Sequence, residues 1–206
     1  MYEQVSHSLL NKILDEIKPE IRKRRIRHFY TRLGANFYAI YSLFHFLYGK
    51  RDDFERHMVR LVEVMAAQYI RREDALTELD SIREHDHEWF LSQEWVGMAL
   101  YTDGFGGDLM GVRRRTGYLQ ELGVNMIHVM PILECPQGAS DGGLEVSNFR
   151  DVDERVGSLE DMRALARKLR QRGMLLTLEV VVILTSVEHE WAARARQGEK
   201  KYQDYY

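Results

Sequence analysis

The chain has 206 residues, of which 45% are hydrophobic and 30% are charged, a balance typical of a globular protein that buries a sizeable core. A formal net charge of −3 excludes a global field of the kind that attracts nucleic acid or an anionic membrane, so neither is an expected partner. The single cysteine, Cys135, excludes an internal disulfide framework, and without a signal peptide or a long apolar run we expect a cytoplasmic protein.

Apolar residues at helical spacing predict that residues 1–90 form an all-helical domain. One amphipathic stripe covers residues 5–17 and is ended by Pro19, because proline interrupts a helix. A second stripe, rich in aromatic residues, covers residues 37–48, and Asn36 directly before it predicts the N-cap of a new helix. We interpret this stripe as the core of a helix bundle.

Two polar clusters in this region have the composition of binding sites, but a surface location explains both of them better. The basic residues 22–25 and Arg27 are balanced by acids elsewhere and lack aromatic partners for stacking, so we interpret them as a solvated helix face. The sequence of residues 85–88 is His-Asp-His-Glu, and side chains two positions apart diverge on a strand and on a helix. We interpret this segment as a polar connector and predict no metal site.

Beyond residue 94, strands alternate with helices, which is the pattern of right-handed βα units in a parallel sheet. Strands are predicted near residues 96–102, 125–130 and 175–183. The third of these is an almost unbroken apolar run, of the kind that parallel sheets bury on both faces. Residues 134–156, after the second strand, are predicted to form a long polar loop.

Capping signals indicate where the helices of this region begin. Asp108 predicts the N-cap of the helix after the first strand, because a carboxylate accepts from free N–H groups at a helix start. Ser158, followed three residues later by Asp161, fits a capping box. We expect the helix after Asp108 to be continuous, with one buried face made of Leu109, Val112, Leu119 and Leu122.

A more specific pattern lies in four segments, residues 101–111, 118–123, 141–153 and 188–192. Together with the helical residues 29–49, they make the chain similar to the amylosucrase branch of the alpha-amylase superfamily, glycoside hydrolase family 13. The resemblance implies an α/β fold in which an N-terminal helical domain, residues 1–90, precedes an incomplete (β/α)8 TIM barrel. That partial barrel, residues 91–206, would contain the first three βα units.

The resemblance also implies an activity. Amylosucrases take sucrose, form a covalent glucosyl-enzyme and transfer the glucose to a growing α-1,4-glucan. Sucrose or an α-glucan is therefore the expected partner, and no cofactor is expected. Retaining chemistry requires two carboxyl groups about 5–5.5 Å apart, and in the family these follow the fourth and fifth strands. Three βα units would contain neither group, so we expect no catalytic residue here and no activity of the chain alone.

The resemblance implies that only part of the family's glucosyl pocket is retained. Asp141 matches the aspartate that hydrogen-bonds the hydroxyls of the bound glucosyl ring. The other pocket positions are degenerate: Leu144 replaces a stacking tyrosine, and Ile183 and Leu184 replace the asparagine and the sugar-binding histidine of the third-strand motif. An isobutyl group cannot donate to a sugar hydroxyl, and a hydroxyl left unpaired costs roughly 1–3 kcal/mol.

Three interpretations of these replacements stay open. The chain is a decayed or truncated copy of the enzyme, a diverged domain that binds something other than glucose, or one part of a split enzyme. The corresponding functional classes are the N-terminal part of a sucrose-using glucosyltransferase, a glucoside-binding module, and an inert or interaction protein. In the last class, exposed sheet edges would pair with a partner or with another copy of the chain.

Overall fold

The computed structural model describes residues 2–17, 26–138 and 142–206, so the basic residues 22–25 and Pro19 lie outside the described residues. The chain separates into two compact units, Met1–His87 and Glu88–Tyr206. None of the described helices is both long and apolar enough to cross a membrane.

Helices make up the first unit, and its described residues contain no strand. Its core consists of side chains that recur at helical spacing, among them the fully buried Ile13, Met58 and Val62. The second helix supplies most of the aromatic residues in this core. The helices are α1 (Tyr2–Ile17), α2 (Ile26–Tyr48), α3 (Phe54–Arg71) and α4 (Asp74–His85).

Helix α2 begins earlier than the sequence predicts, so the prediction of Asn36 as an N-cap is wrong. The helix continues through this position, and the Asn36 side-chain amide donates to the carbonyl oxygen of Arg32 at 2.8 Å. The physical reason is the core: Phe29 and Leu33 extend the buried stripe upstream, so apolar packing outweighs the local preference of asparagine for a cap. The helix ends at Tyr48, as predicted.

The second unit contains a three-stranded parallel sheet of order β1-β2-β5. Its elements in chain order are β1 (Gly97–Leu100), α5 (Thr102–Gly106), α6 (Leu109–Arg114), α7 (Thr116–Glu121), β2 (Met126–Val129), β3 (Leu133–Glu134), β4 (Asn148–Val152), α8 (Leu159–Gln171), β5 (Leu175–Leu178), α9 (Glu190–Arg196) and α10 (Lys200–Gln203). Strands that alternate with helices and pair in parallel confirm the predicted α/β class.

The chain after β1 forms three short helices where the sequence predicts a single one. Gly107, at φ +84°, separates α5 from α6, and the Asp108 carboxylate caps α6 by accepting from Gly111 N–H at 2.5 Å, as predicted. A further break at Arg115 separates α6 from α7. Leu122 is therefore 53% exposed, although the predicted face placed it in the core.

The third strand of the parallel sheet is shorter than predicted: β5 ends at Leu178 and does not reach residue 183. Its neighbour β2 ends at Val129, and the last ladder bond runs from Glu179 N–H to the Val129 carbonyl oxygen at 3.1 Å. A strand without a neighbour has no hydrogen-bond partners, so the apolar run continues as irregular chain.

The polar loop after β2 contains regular structure that the sequence analysis missed. Strands β3 and β4 form a two-stranded antiparallel sheet there, separate from the parallel sheet. Helix α8 follows, and its capping box is confirmed: Ser158 Oγ accepts from Asp161 N–H, while the Asp161 carboxylate accepts from Ser158 N–H. The helix packs its fully buried Leu165 and Leu169 into the core of the second unit.

Candidate functional site

The carboxyl edge of the parallel sheet is the candidate site, because parallel α/β sheets present their binding residues at the carboxyl ends of the strands. Tyr101 follows β1 directly and is half exposed. Met130 follows β2, and Glu179 follows β5. A phenol, a thioether and a carboxylate therefore lie in sequence directly after the three strand ends.

A polar cluster, made of His128, Thr177 and Glu179, lies on the sheet face opposite the core. Its position follows from strand alternation, since Ile127 and Val129 on either side of the histidine are fully buried. His128 and Thr177 are paired across the two strands, and His128 Nδ1 is 2.9 Å from Thr177 Oγ1. His128 Nε2 is 3.6 Å from a Glu179 carboxylate oxygen.

The hydrogen bonds of this polar cluster orient the imidazole. The Thr177 hydroxyl donates to the Ile127 carbonyl oxygen at 3.3 Å. His128 Nδ1 lies within hydrogen-bond distance of the same hydroxyl, and Nε2 faces Glu179. The imidazole and the carboxylate are each more than one third exposed. Together they offer ring nitrogen and carboxylate oxygen to the hydroxyl groups of a ligand.

The loop after β2 folds back onto the carboxyl edge through two glycines. Gly142 and Gly143 have φ of +65° and +81°, which side chains rarely allow. A Cβ on Gly142 would lie 3.4 Å from the Tyr101 hydroxyl, so the loop backbone passes close to that ring. Asp141, the candidate sugar-binding residue, immediately precedes Gly142 in sequence but lies outside the described residues.

The three degenerate pocket positions belong to two segments that a backbone hydrogen bond joins. Ser186 N–H donates to the Val146 carbonyl oxygen at 2.9 Å, and Leu144 and Leu184 are each two residues from this bond. Both leucines are about 40% exposed, whereas Ile183 is 90% exposed. Apolar side chains therefore lie in solvent on the two segments next to the candidate site.

A buried carboxylate holds the base of the loop. Asp153 accepts two hydrogen bonds from the Arg155 guanidinium, at 2.7 Å and 2.6 Å, and Cys135 N–H and Sγ both lie 3.4 Å from its Oδ2. The guanidinium, acting first through its hydrogen bonds, lowers the pKa of Asp153 to about 2, although burial opposes this shift. The carboxylate is thus ionised at neutral pH and ties β4 to the segment after β3.

His189 is a structural residue rather than part of the candidate site. Its Nδ1 accepts from Trp191 N–H at 3.1 Å, which caps α9, and its ring packs between those of Phe149 and Trp191. Burial lowers the pKa of His189, because the charged imidazolium loses hydration, and the neighbouring Glu190 opposes this effect only partly. A neutral ring at pH 7 is what the cap requires.

His128 and Thr177 were not predicted as site residues from the sequence. The available signal was His128 itself, a histidine in an otherwise apolar strand. Its hydrogen-bond partner Thr177 lies 49 residues further along the chain, so no local pattern links the two. In the parts of the chain that the structure describes, no group of three or more His, Cys, Asp or Glu side chains could hold a metal ion. The sugar-binding role of Asp141 stays a prediction.

The exposed apolar segment after β5 leads to a prediction about solubility. Val182 and Ile183 are 76% and 90% exposed and follow the edge strand of a sheet, a setting that promotes pairing between chains. We expect Ile183→Lys to lower the aggregation of the purified 206-residue chain at least about twofold, because a lysine there opposes stacking of strands. Light scattering at micromolar concentration measures this. Leu122→Lys, at an exposed leucine away from the sheet edge, is the control, and an equal improvement there would contradict the prediction.

Comparison with known proteins relates the chain to enzymes that act on α-glucosidic substrates. An oligo-1,6-glucosidase of Bacillus sp. (strain F5) is 37% identical over 128 residues, which cover 56% of this chain and 25% of that enzyme. Maltase 1 of Drosophila virilis is 32% identical over 154 residues, which cover 74% of this chain and 24% of that enzyme. The chain thus spans about a quarter of the length of these curated relatives.

Solved structures agree with this relationship. The trehalulose synthase MutB from Pseudomonas mesoacidophila MX-45 is 30% identical, with a TM-score of 0.50, over 55% of this chain and 21% of its own. The trehalose-6-phosphate hydrolase TreA of Bacillus licheniformis is 28% identical, with a TM-score of 0.52, over 57% of this chain and 22% of its own. The family model described as "Alpha amylase, catalytic domain" matches residues 48–206. Because this match covers most of the chain, the protein belongs to the alpha-amylase catalytic-domain family.

Proposed function

We propose that the chain is the N-terminal part of an amylosucrase-type glucosyltransferase that acts on sucrose and α-glucans, and that it has no activity alone. The observation that carries the proposal is the family match together with the polar cluster of His128, Thr177 and Glu179 near the carboxyl ends of β2 and β5. Among the related proteins, a MutB variant has been crystallised with the substrate sucrose.

Two further features support the amylosucrase branch within the family. A separate helical unit, Met1–His87, precedes the strand-containing unit, and the resemblance of residues 29–49 to the helical domain of that branch agrees with this order. Residues 101–111, which the resemblance also covers, contain α5 and then the start of α6, which Asp108 caps. On this proposal, residues 1–90 are a domain of their own and residues 91–206 are the first three βα units of the barrel.

The proposed inactivity follows from the chemistry of retaining enzymes. They need a nucleophile and an acid/base whose carboxyl groups lie about 5–5.5 Å apart across the scissile bond. Glu179 is the carboxylate of the polar cluster, and His128 Nε2 lies 3.6 Å from one of its oxygens. A pairing with imidazole can bind and orient a hydroxyl, but it does not supply the second carboxyl group.

The test is an assay of the purified 206-residue chain with sucrose, in which released fructose is measured. We expect no release above a sample purified in parallel from cells without the gene. The variant Glu179→Gln controls for contaminating enzyme, because it changes the candidate site and nothing else. Fructose release by the unmodified chain that Glu179→Gln abolishes would overturn the proposal of inactivity.

A glucoside-binding module is the second candidate, favoured by the exposure of the polar cluster beside the Gly142–Gly143 backbone. Calorimetric titration with glucose and with sucrose separates the two candidates. We expect weak binding or none, because Leu144, Ile183 and Leu184 offer no hydrogen bonds to a sugar. Micromolar binding that Glu179→Gln weakens would favour the binding module over the enzyme fragment.

A further inference from the structure

Helix α2 carries an uncharged surface that the core of the first unit does not cover. Residues 34–48 contain no Asp, Glu, Lys or Arg, which is unusual for four turns of a helix with one face in solvent. Its buried face is the stripe that includes Phe37 and Tyr41. On the other face, Leu43, Phe46 and Leu47 are 69%, 85% and 65% exposed.

The exposed face is here called the α2 seam, and most of its large side chains lie in the C-terminal half of the helix. The N-terminal half of the seam contains the small residues Gly34, Ala35 and Ala39, all of them exposed, together with the larger Tyr38. Its C-terminal half consists of the large residues Leu43, Phe46 and Leu47. The seam positions 35, 39, 42 and 46 are spaced by four, three and four residues, which is the spacing of a coiled-coil contact line.

We propose that the α2 seam binds the α2 seam of a second copy of this chain, with the two helices antiparallel about a twofold axis. In an antiparallel pair centred between residues 40 and 41, Ala35 of one copy faces Phe46 of the other, and Gly34 faces Leu47. Phe46 and Leu47 then each meet a small residue in both directions, and Leu43 of each copy faces Tyr38 of the other. A twofold interface needs this self-complementarity, in which residue i meets j and j meets i.

Charge and area both agree with this occupant. No ionised side chain enters the contact line, so two copies meet without repulsion, and antiparallel helices also align their dipoles favourably. The four large side chains, Tyr38, Leu43, Phe46 and Leu47, expose roughly 600 Å² per copy, so a pair would bury about 1,200 Å² in total. This area is at the lower end of the range for specific interfaces, which predicts a reversible dimer.

The first test is the oligomeric state of the 206-residue chain by light scattering coupled to size exclusion. All samples carry Ile183→Lys, so that contacts of the sheet edge do not contribute. We expect a dimer at tens of micromolar. Phe46→Glu should raise its dissociation constant about a hundredfold or more, because a carboxylate would be buried against Ala35 of the second copy. Ser8→Glu, on the exposed surface of α1, is the matched control and should leave the dimer unchanged.

The second test measures the geometry of the pair. Ala39→Cys lies near the proposed axis and should be cross-linked between copies by a short bismaleimide, whereas Arg60→Cys, on the exposed surface of α3, should not. Circular dichroism checks that each variant folds. A monomer at every concentration, a dimer that Phe46→Glu leaves intact, or equal cross-linking of both cysteine variants would each overturn the proposal.

Discussion

Replacement of Gly111 by alanine is expected to destabilise the second unit strongly. A Cβ at Gly111 would overlap the Gly106 carbonyl oxygen and lie 2.7 Å from its carbonyl carbon. Gly106 is constrained in turn, because a Cβ there would lie 2.8 Å from the Gly111 carbonyl carbon. In both cases the added Cβ would clash with backbone atoms of the neighbouring helix, so no side-chain rotation relieves the clash.

The expected loss of unfolding free energy for Gly111→Ala is about 3 kcal/mol or more, because the chain must separate where the fully buried Leu109 and Val112 enter the core. Urea unfolding followed by circular dichroism measures it. Gly117→Ala is the matched control: it lies in helix α7, and the nearest atom to its Cβ would be an Arg172 guanidinium nitrogen at 3.8 Å. This control should be neutral or slightly stabilising, by up to about 1 kcal/mol. Equal stabilities of the two variants would contradict the proposed backbone clash.

Replacement of Asp153 by asparagine is expected to cost about 2–3 kcal/mol at pH 7. The variant loses the charge-assisted pair with Arg155. Its amide also has one acceptor oxygen, whereas the carboxylate accepts through two. The side chain is 8% exposed, so water replaces these bonds poorly. Asp151→Asn, at an exposed carboxylate two residues earlier, in β4, is the control and should change stability by less than about 0.5 kcal/mol.

The pH dependence of stability gives an independent measurement of the same pair. The folded pKa of Asp153, about 2, is lower than its ordinary value of 3.8, so the unfolded chain binds the proton first as pH falls. The stabilisation by this carboxylate is therefore complete above pH 3.8 and is lost between pH 3.8 and pH 2. The difference in stability between the unmodified chain and Asp153→Asn should shrink across this window. A difference that stays constant from pH 5 to pH 2 would show that Asp153 does not titrate as the structure requires.

Local signals in the sequence predicted much of this fold. Asp108 and Ser158 cap the helices that they were predicted to cap, because the donor and the acceptor of a cap lie within three residues of one another. Strand and helix alternation predicted the α/β class and the parallel sheet. The apolar run after residue 174 also identified the third strand, although not its end.

The misplaced boundaries have one cause, which is packing between segments distant in sequence. Asn36 has the side chain of an N-cap, yet Phe29 and Leu33 in the core continue the helix past it. The predicted third strand stops at Leu178, because β2 offers no further backbone partners. The early start of α2 and the early end of β5 therefore depend on neighbouring segments and not on the residues at those positions.

By itself, the sequence determined the alternation of strands and helices, the caps at Asp108 and Ser158, and the resemblance to the alpha-amylase superfamily, because these depend on residue types at short spacing. Only the tertiary structure decided the composition of the candidate site. His128 meets Thr177 across two strands whose register is set by pairing over 49 residues, and Glu179 joins them because β5 ends beside β2. Contacts of this range depend on which strands become neighbours, and that choice is made by burial of the whole core rather than by any local pattern.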